Sequence, residues 1–189
     1  MKNKKSKEGI MELRIVKFFN RLGRGTALDL LMRSVSYIPM LGIVWSLIAL
    51  AIFFLDSQNG RQVFVAMVIA IGLHFIVTAG FLKICLERYF KRIRPYIAHS
   101  QEITPLGKLH RDSSFPSSHM SANLALLTVL VYFYPAILLV AVVWAVFTAF
   151  SRLHNGMHYP SDVLAGAILG VLYGVAGITY AQALVSLIF

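Results

Sequence analysis

Five long apolar blocks, at residues 34–55, 63–82, 118–133, 136–150 and 163–189, constrain this chain more than any other feature. Inside a bilayer each backbone polar group must find its partner within its own segment, so apolar blocks of this length belong to membrane-spanning helices. The blocks at 118–133 and 136–150 fall short of the about 20 residues a span commonly uses, and a charge-free turn at Tyr134 and Pro135 joins them. Hydrophobic residues make up 58% of the chain and charged residues 14%, too few to cover a soluble domain of 189 residues. The expected fold class is therefore all-α, an integral membrane helical bundle of about five transmembrane helices. In the last block Gly166, Gly170 and Gly174 recur every fourth residue, a small-residue face suited to close helix packing.

The N-terminal part has a different pattern. Residues 1–9 read as a basic, disordered tail. Over residues 10–33, Leu13, Val16, Phe19, Leu22 and Leu28 alternate with Arg14, Lys17, Arg21, Arg24 and Arg33, with a break at Gly23 and Gly25. That is an amphipathic helix lying in the membrane interface, too charged to span. Residues 34–189 form the transmembrane unit. The formal net charge is +10, but the cations sit outside the apolar blocks, where headgroups or phosphate would meet them. Membrane lipids are the expected partners; nucleic acid is not. Cys85 is the single cysteine, so no internal disulfide exists.

Nine of the 18 Lys and Arg fall within the first 33 residues, which places the N-terminus in the cytoplasm. With spans in alternation, the polar stretches 83–117 and 151–161 emerge on that same face, and the chemistry is expected there. Three clusters in them stand out. Lys91-Arg92-Ile93-Arg94-Pro95 is a basic run. Pro116-Ser117-Ser118-His119 opens the third block as a helix start, whose free N–H groups suit an anion. Ser151-Arg152 is followed by His158 and Asp162, four residues apart, a spacing that sets carboxylate against imidazole on a helical turn. His74 reads as a packed core histidine, and His99, His110 and His154 as solvated groups or local partners.

In this order the three clusters resemble the signature motifs of the type 2 phosphatidic acid phosphatase family, which includes vanadium-dependent haloperoxidases. Arg94-Pro95 matches the end of the first motif, Pro116-Ser117-Ser118-His119 the second with Ser118 in a glycine place, and Ser151-Arg152, His158 and Asp162 the third. The likeness runs from about residue 34 onward. The first motif's lysine falls at position 87, where this chain has Glu87; Lys91, one turn before Arg94, is the expected substitute.

The resemblance implies a lipid phosphatase of bacterial type in the cytoplasmic (inner) membrane. His158 would be the nucleophile, forming a phosphohistidine steadied by Asp162, and His119 the acid and base. Arg94, Arg152, Ser117, Ser118 and Lys91 would hold the phosphoryl oxygens. No cofactor, metal or obligatory protein partner is implied, and the eight acidic residues form no carboxylate cluster for Mg²⁺. The substrate would be a lipid phosphate: phosphatidate, phosphatidylglycerol phosphate or undecaprenyl pyrophosphate. Many family members face outward, against the cytoplasmic placement read from charge. A lipid phosphotransferase on the same fold and an inactive lipid-binding protein are the alternatives.

Overall fold

The computed structural model describes residues 7–188, all of whose regular structure is helical. The basic tail expected over residues 1–9 lies outside the described residues, except that residues 7–9 open the first helix. Helix α1 (Lys7–Arg21) and α2 (Ala27–Val35) are separated where Gly23 and Gly25 take φ of 62° and 78°, a backbone only glycine adopts without strain. Thr26 then caps α2 by accepting from the Leu28 amide at 3.2 Å.

Helices α3 (Ile38–Leu55) and α4 (Gly60–Tyr89) follow, then a single turn α5 (Pro95–Ala98), α6 (Ser118–Phe133), α7 (Leu138–His154) and α8 (Pro160–Ile188). Among the described residues, four helices are long and apolar enough to cross a membrane: Ile38–Leu55, Gly60–Tyr89, Pro135–His154 and Pro160–Val185; α6 is a shorter apolar helix. The chain is a multi-pass membrane bundle.

Two expected boundaries move. The first span opens at Ile38 instead of residue 34, because Ser36 ends α2 and Pro39 sits in the first turn of α3, where its missing N–H costs nothing. The second runs on to Tyr89, so Lys83 and Glu87 lie on a helix and not in a loop. Within it His74–Leu82 is π-helical. Each π turn holds an extra residue, which rotates everything beyond it relative to a continuous α-helix.

α8 is the central post, packed along both α6 and α4. A Cβ on Gly166 would stand 2.5 Å from the Ser117 carbonyl, on Gly170 2.5 Å from that of Ser121, and on Gly177 2.5 Å from that of Ala66. These glycines let backbones touch where no side chain fits, and dispersion across that contact holds the helices together. Ala66, Ala70, Ala125 and Ala181 are fully buried at the same seam.

The amphipathic helices dock on α7. Asn20 is 2% exposed; its Nδ2 donates to the carbonyls of His154 (2.7 Å) and Thr104 (2.9 Å), and its Oδ1 accepts from the Thr104 amide at 3.0 Å. His154 is buried, with Nε2 2.8 Å from Asp29 Oδ1 and Nδ1 2.9 Å from the Phe19 carbonyl. Both helices of the N-terminal segment are thereby tied to the helix that carries Arg152.

Candidate active site

One cavity of about 730 Å³ joins polar and apolar surroundings. Its polar end is lined by Lys83, Arg94, His110, Ser118, His119, Arg152 and His158; Trp45, Phe64, Met67, Phe75 and Leu126 line the arm that runs between α3, α4 and α6. His119, His158, Arg94, Arg152 and Ser118, distant in sequence, thus meet at one wall. Ser117 lies immediately before α6, fully buried.

The hydrogen bonds on His158 assign its tautomer. Nδ1 lies 2.7 Å from the Ser114 carbonyl, which can only accept, so Nδ1 carries the proton. Nε2 then holds a lone pair and accepts from Arg94 Nη1 at 3.3 Å. Burial, with the guanidiniums of Arg152 and Arg94 nearby, holds this imidazole well below its ordinary pKa, so it stays neutral. A neutral ring with a lone pair among cations has the chemistry to attack an anionic electrophile.

Asp162 faces the His158 ring as its spacing predicts, but makes no hydrogen bond to it. Its Oδ2 is 3.8 Å from His158 Nδ1, beyond hydrogen-bond reach, and accepts from the Tyr159 amide at 2.8 Å. His158 precedes the helix, so the four-residue spacing sets the two groups facing without closing a hydrogen bond. Asp162 sits in the third position of α8 and reaches back to the residue before Pro160, as the acid of a capping box does. Its other oxygen accepts from Arg92, whose guanidinium lies 4.4 Å from the Tyr159 ring. The buried carboxylate is thus neutralised by Arg92, and the ring is oriented by Ser114.

Lys91 is not at the site. α4 ends at Tyr89 and residues 90–94 leave it without helical structure, so "one turn before Arg94" has no meaning there. Lys91 is exposed and paired with Glu87. Glu87 in turn accepts from the Ser113 amide at 2.8 Å, pinning the loop that carries Ser114. Lys83, one turn earlier on α4, lines the cavity instead.

His119 Nε2 lies 2.9 Å from the Ser36 carbonyl at the α2–α3 junction, so that nitrogen carries a proton and Nδ1 is the one left to exchange. Ser151 does not enter the chemistry; its Oγ donates to the Met32 carbonyl at 2.9 Å and pairs with Ser36. His74 bonds Ser121 Oγ at 2.9 Å as a packed residue, though it also borders the cavity. Among the described residues, the buried polar side-chain atoms lacking a partner include Arg152 Nε, Ser117 Oγ and Ser118 Oγ. The two serines stand at the first N–H groups of a 16-residue helix, and Arg152 and Ser118 both line the cavity. Together they describe a seat for a tetrahedral oxyanion.

Fold and site define a class: a membrane helical bundle with a buried imidazole facing an arginine-lined anion seat at the head of an apolar cavity. Residues 60–186 match the family model described as the PAP2 superfamily, and the chain belongs to that superfamily. It is 29% identical over 136 residues to undecaprenyl-diphosphatase BcrC of Bacillus subtilis, covering 70% of this chain and 65% of that protein. It is 28% identical over 129 residues to the lipid A 1-phosphatase of Rhizobium etli, covering 66% of this chain and 56% of that one. The chain thus spans less than two thirds of these relatives' own lengths. In fold it is similar to Aquifex aeolicus LpxE (TM-score 0.69, 22% identity, 90% of this chain and 96% of that chain). It is also similar to a transmembrane PAP2-type phosphatidylglycerolphosphate phosphatase from Bacillus subtilis (TM-score 0.67, 22% identity, 92% and 86%).

Proposed function

We propose that this chain is a metal-independent lipid phosphatase that works through a phosphohistidine on His158. The observation that carries the reading is the Nε2 lone pair of His158, fixed by Ser114, at the cationic end of a cavity whose other arm is apolar. A lipid phosphate fits both ends: its tails occupy the arm between α3, α4 and α6 while its headgroup meets the cations. A proton of the incoming phosphate passes to His119 Nδ1; Nε2 of His158 attacks phosphorus, and the bond to the leaving oxygen breaks as Nδ1 gives that oxygen the proton. A water then attacks the phosphohistidine, His119 takes its proton, and inorganic phosphate leaves. Arg94, Arg152, Ser117, Ser118 and the first N–H groups of α6 hold the three phosphoryl oxygens, where charge spreads in the transition state. The charge of Asp162 supports the cationic ring at 3.8 Å without a direct bond.

The substrate class is a lipid monophosphate or pyrophosphate: phosphatidate, phosphatidylglycerol phosphate and undecaprenyl pyrophosphate are the candidates. The location is the cytoplasmic membrane, with the site on the side of the basic N-terminus. The deciding measurement is phosphate release from those three lipids in detergent, with and without a chelator, by wild type and His158→Ala. Release by wild type that ignores chelation and vanishes in the variant is expected; equal release by both, or loss on chelation, would overturn the mechanism. A reporter active only in the cytoplasm, fused after Phe189, should be silent if five spans separate the termini.

A further inference from the structure

Arg94 has no donor to spare. Its Nε donates to the Asp112 carbonyl (3.1 Å), Nη1 to the Met157 carbonyl (3.1 Å) and His158 Nε2 (3.3 Å), and Nη2 to Asp112 Oδ1 (2.8 Å) and the Ser113 carbonyl (3.3 Å). A guanidinium carries five N–H groups, and all are committed. The second oxygen of Asp112 accepts from Lys83. One carboxylate therefore bridges two cations, both of which line the cavity while Asp112 itself does not. Lys83 comes to that wall because the π-helical stretch immediately before it re-aims the last turns of α4.

We infer that Lys83 is a phosphate ligand, taking the place left by Glu87, and that Asp112 competes with the substrate phosphate for Lys83 and Arg94. A phosphoryl group, like a carboxylate, presents two anionic oxygens that can span a pair of cations. When one arrives from the cavity, the Arg94 Nη2 and Lys83 Nζ donors pass from Asp112 to the phosphoryl oxygens. No covalent bond changes. Asp112 keeps the buried Arg94 and the half-buried Lys83 neutralised, where mutual repulsion would otherwise splay them. Its side chain is 37% exposed, so water can take up the hydrogen bonds it gives away. The loop bearing it is held on the far side by Glu87, which bonds the Ser113 amide.

This inference rests on the phosphate-handling reading above, and its test does not need turnover. Binding of inorganic phosphate to the purified full chain in detergent is measured by titration calorimetry for wild type, Lys83→Met, Lys83→Arg, Lys91→Ala and Asp112→Asn. Lys83→Met should weaken phosphate about tenfold, the worth of one charge-assisted hydrogen bond. Lys83→Arg should restore most of that loss, and Lys91→Ala should bind as wild type. Asp112→Asn should bind phosphate several-fold more tightly, a gain that misfolding cannot produce. Unchanged affinity in Lys83→Met, or loss in Lys91→Ala, would discard Lys83 as the ligand. Weaker binding by Asp112→Asn would discard the competition. A chain that binds phosphate in this pattern yet hydrolyses none of the lipids would leave the ligand assignment standing and remove the phosphatase reading alone.

Discussion

Arg92 donates to Asp162 with one arm and to Glu12 on α1 with the other, the latter at 2.6 Å. Glu12 also accepts from the Ser161 amide at 3.0 Å, and Ser114, whose carbonyl holds His158, donates its amide to the Arg92 carbonyl at 2.9 Å. Helix α1 therefore supplies the outermost link of a network that ends at His158. Asp162 has a side-chain exposure of 0%. Arg92→Ala leaves that carboxylate unpaired, and breaking a buried pair from one side costs about 3 kcal/mol. A fall of several degrees in the unfolding temperature in detergent is expected. Glu12→Gln, at a partly exposed pair, should cost about 1 kcal/mol or less, and should lower kcat with little change in KM.

In the proposed mechanism, replacing His119 by Ala removes the proton donor and leaves His158 in place. Steady-state kinetics should register a drop of about a hundredfold or more in kcat, the usual worth of general acid–base catalysis. Burst-phase phosphoenzyme should still be trapped with the variant if the leaving group is a good one. Wild-type turnover in His119→Ala would refute its role.

Arg94→Lys keeps the charge but cannot reproduce a fork that meets Asp112, Met157, Ser113 and His158 together. A loss in kcat/KM of about a hundredfold follows if removing it resembles losing an oxyanion donor. Equal activity in Lys and Arg forms would show that only net charge matters there.

Stability should fall on acidification. The folded chain holds His158 neutral well below the ordinary imidazole pKa, so between that value and the folded one the unfolded chain binds the extra proton. The contribution is complete above about pH 6.5 and declines by about 1.4 kcal/mol per pH unit below it. His110, lowered chiefly by burial and next by Arg94, acts in the same direction. Chemical unfolding in detergent at pH 7.5 and 5.5 measures this, and His158→Gln should flatten the slope.

Gly170→Ala should be costly despite its small size. The new Cβ would meet the Ser121 carbonyl at 2.5 Å and Leu124 Cβ at 2.6 Å, so α6 and α8 must separate. Overpacking of this kind costs about 1–3 kcal/mol, readable as a lower unfolding temperature. Gly72→Ala, which meets nothing within 4 Å, is the control and should be neutral.

The apolar blocks made the bundle legible because lipid leaves a helix so few alternatives, and the glycines at 166, 170 and 174 announced a contact whose partner only the structure names. In the cavity wall, His119, His158, Arg94 and Arg152 were legible because each carries a distinctive side chain. Ser114 and Ser36 were not: both act through carbonyls, which every residue has. Asp162 pairs with the His158 ring at 3.8 Å without fixing its tautomer, because His158 lies just outside α8 and Ser114 accepts its Nδ1 proton. Lys91 does not line the cavity because α4 stops at Tyr89, and the place of Lys83 in its wall was not legible because no residue preference marks the π-helical stretch before it.

Helix α3 forms one side of the cavity's apolar arm, yet its main protein neighbour is α4; across the arm the Trp45 indole reaches Asn123 at 3.1 Å. Most of its surface is left to whatever surrounds the chain. The chamber that would hold a lipid's tails is thus closed on one flank by a helix that the bilayer itself must brace. Its width answers to acyl-chain pressure from outside as well as to the residues within.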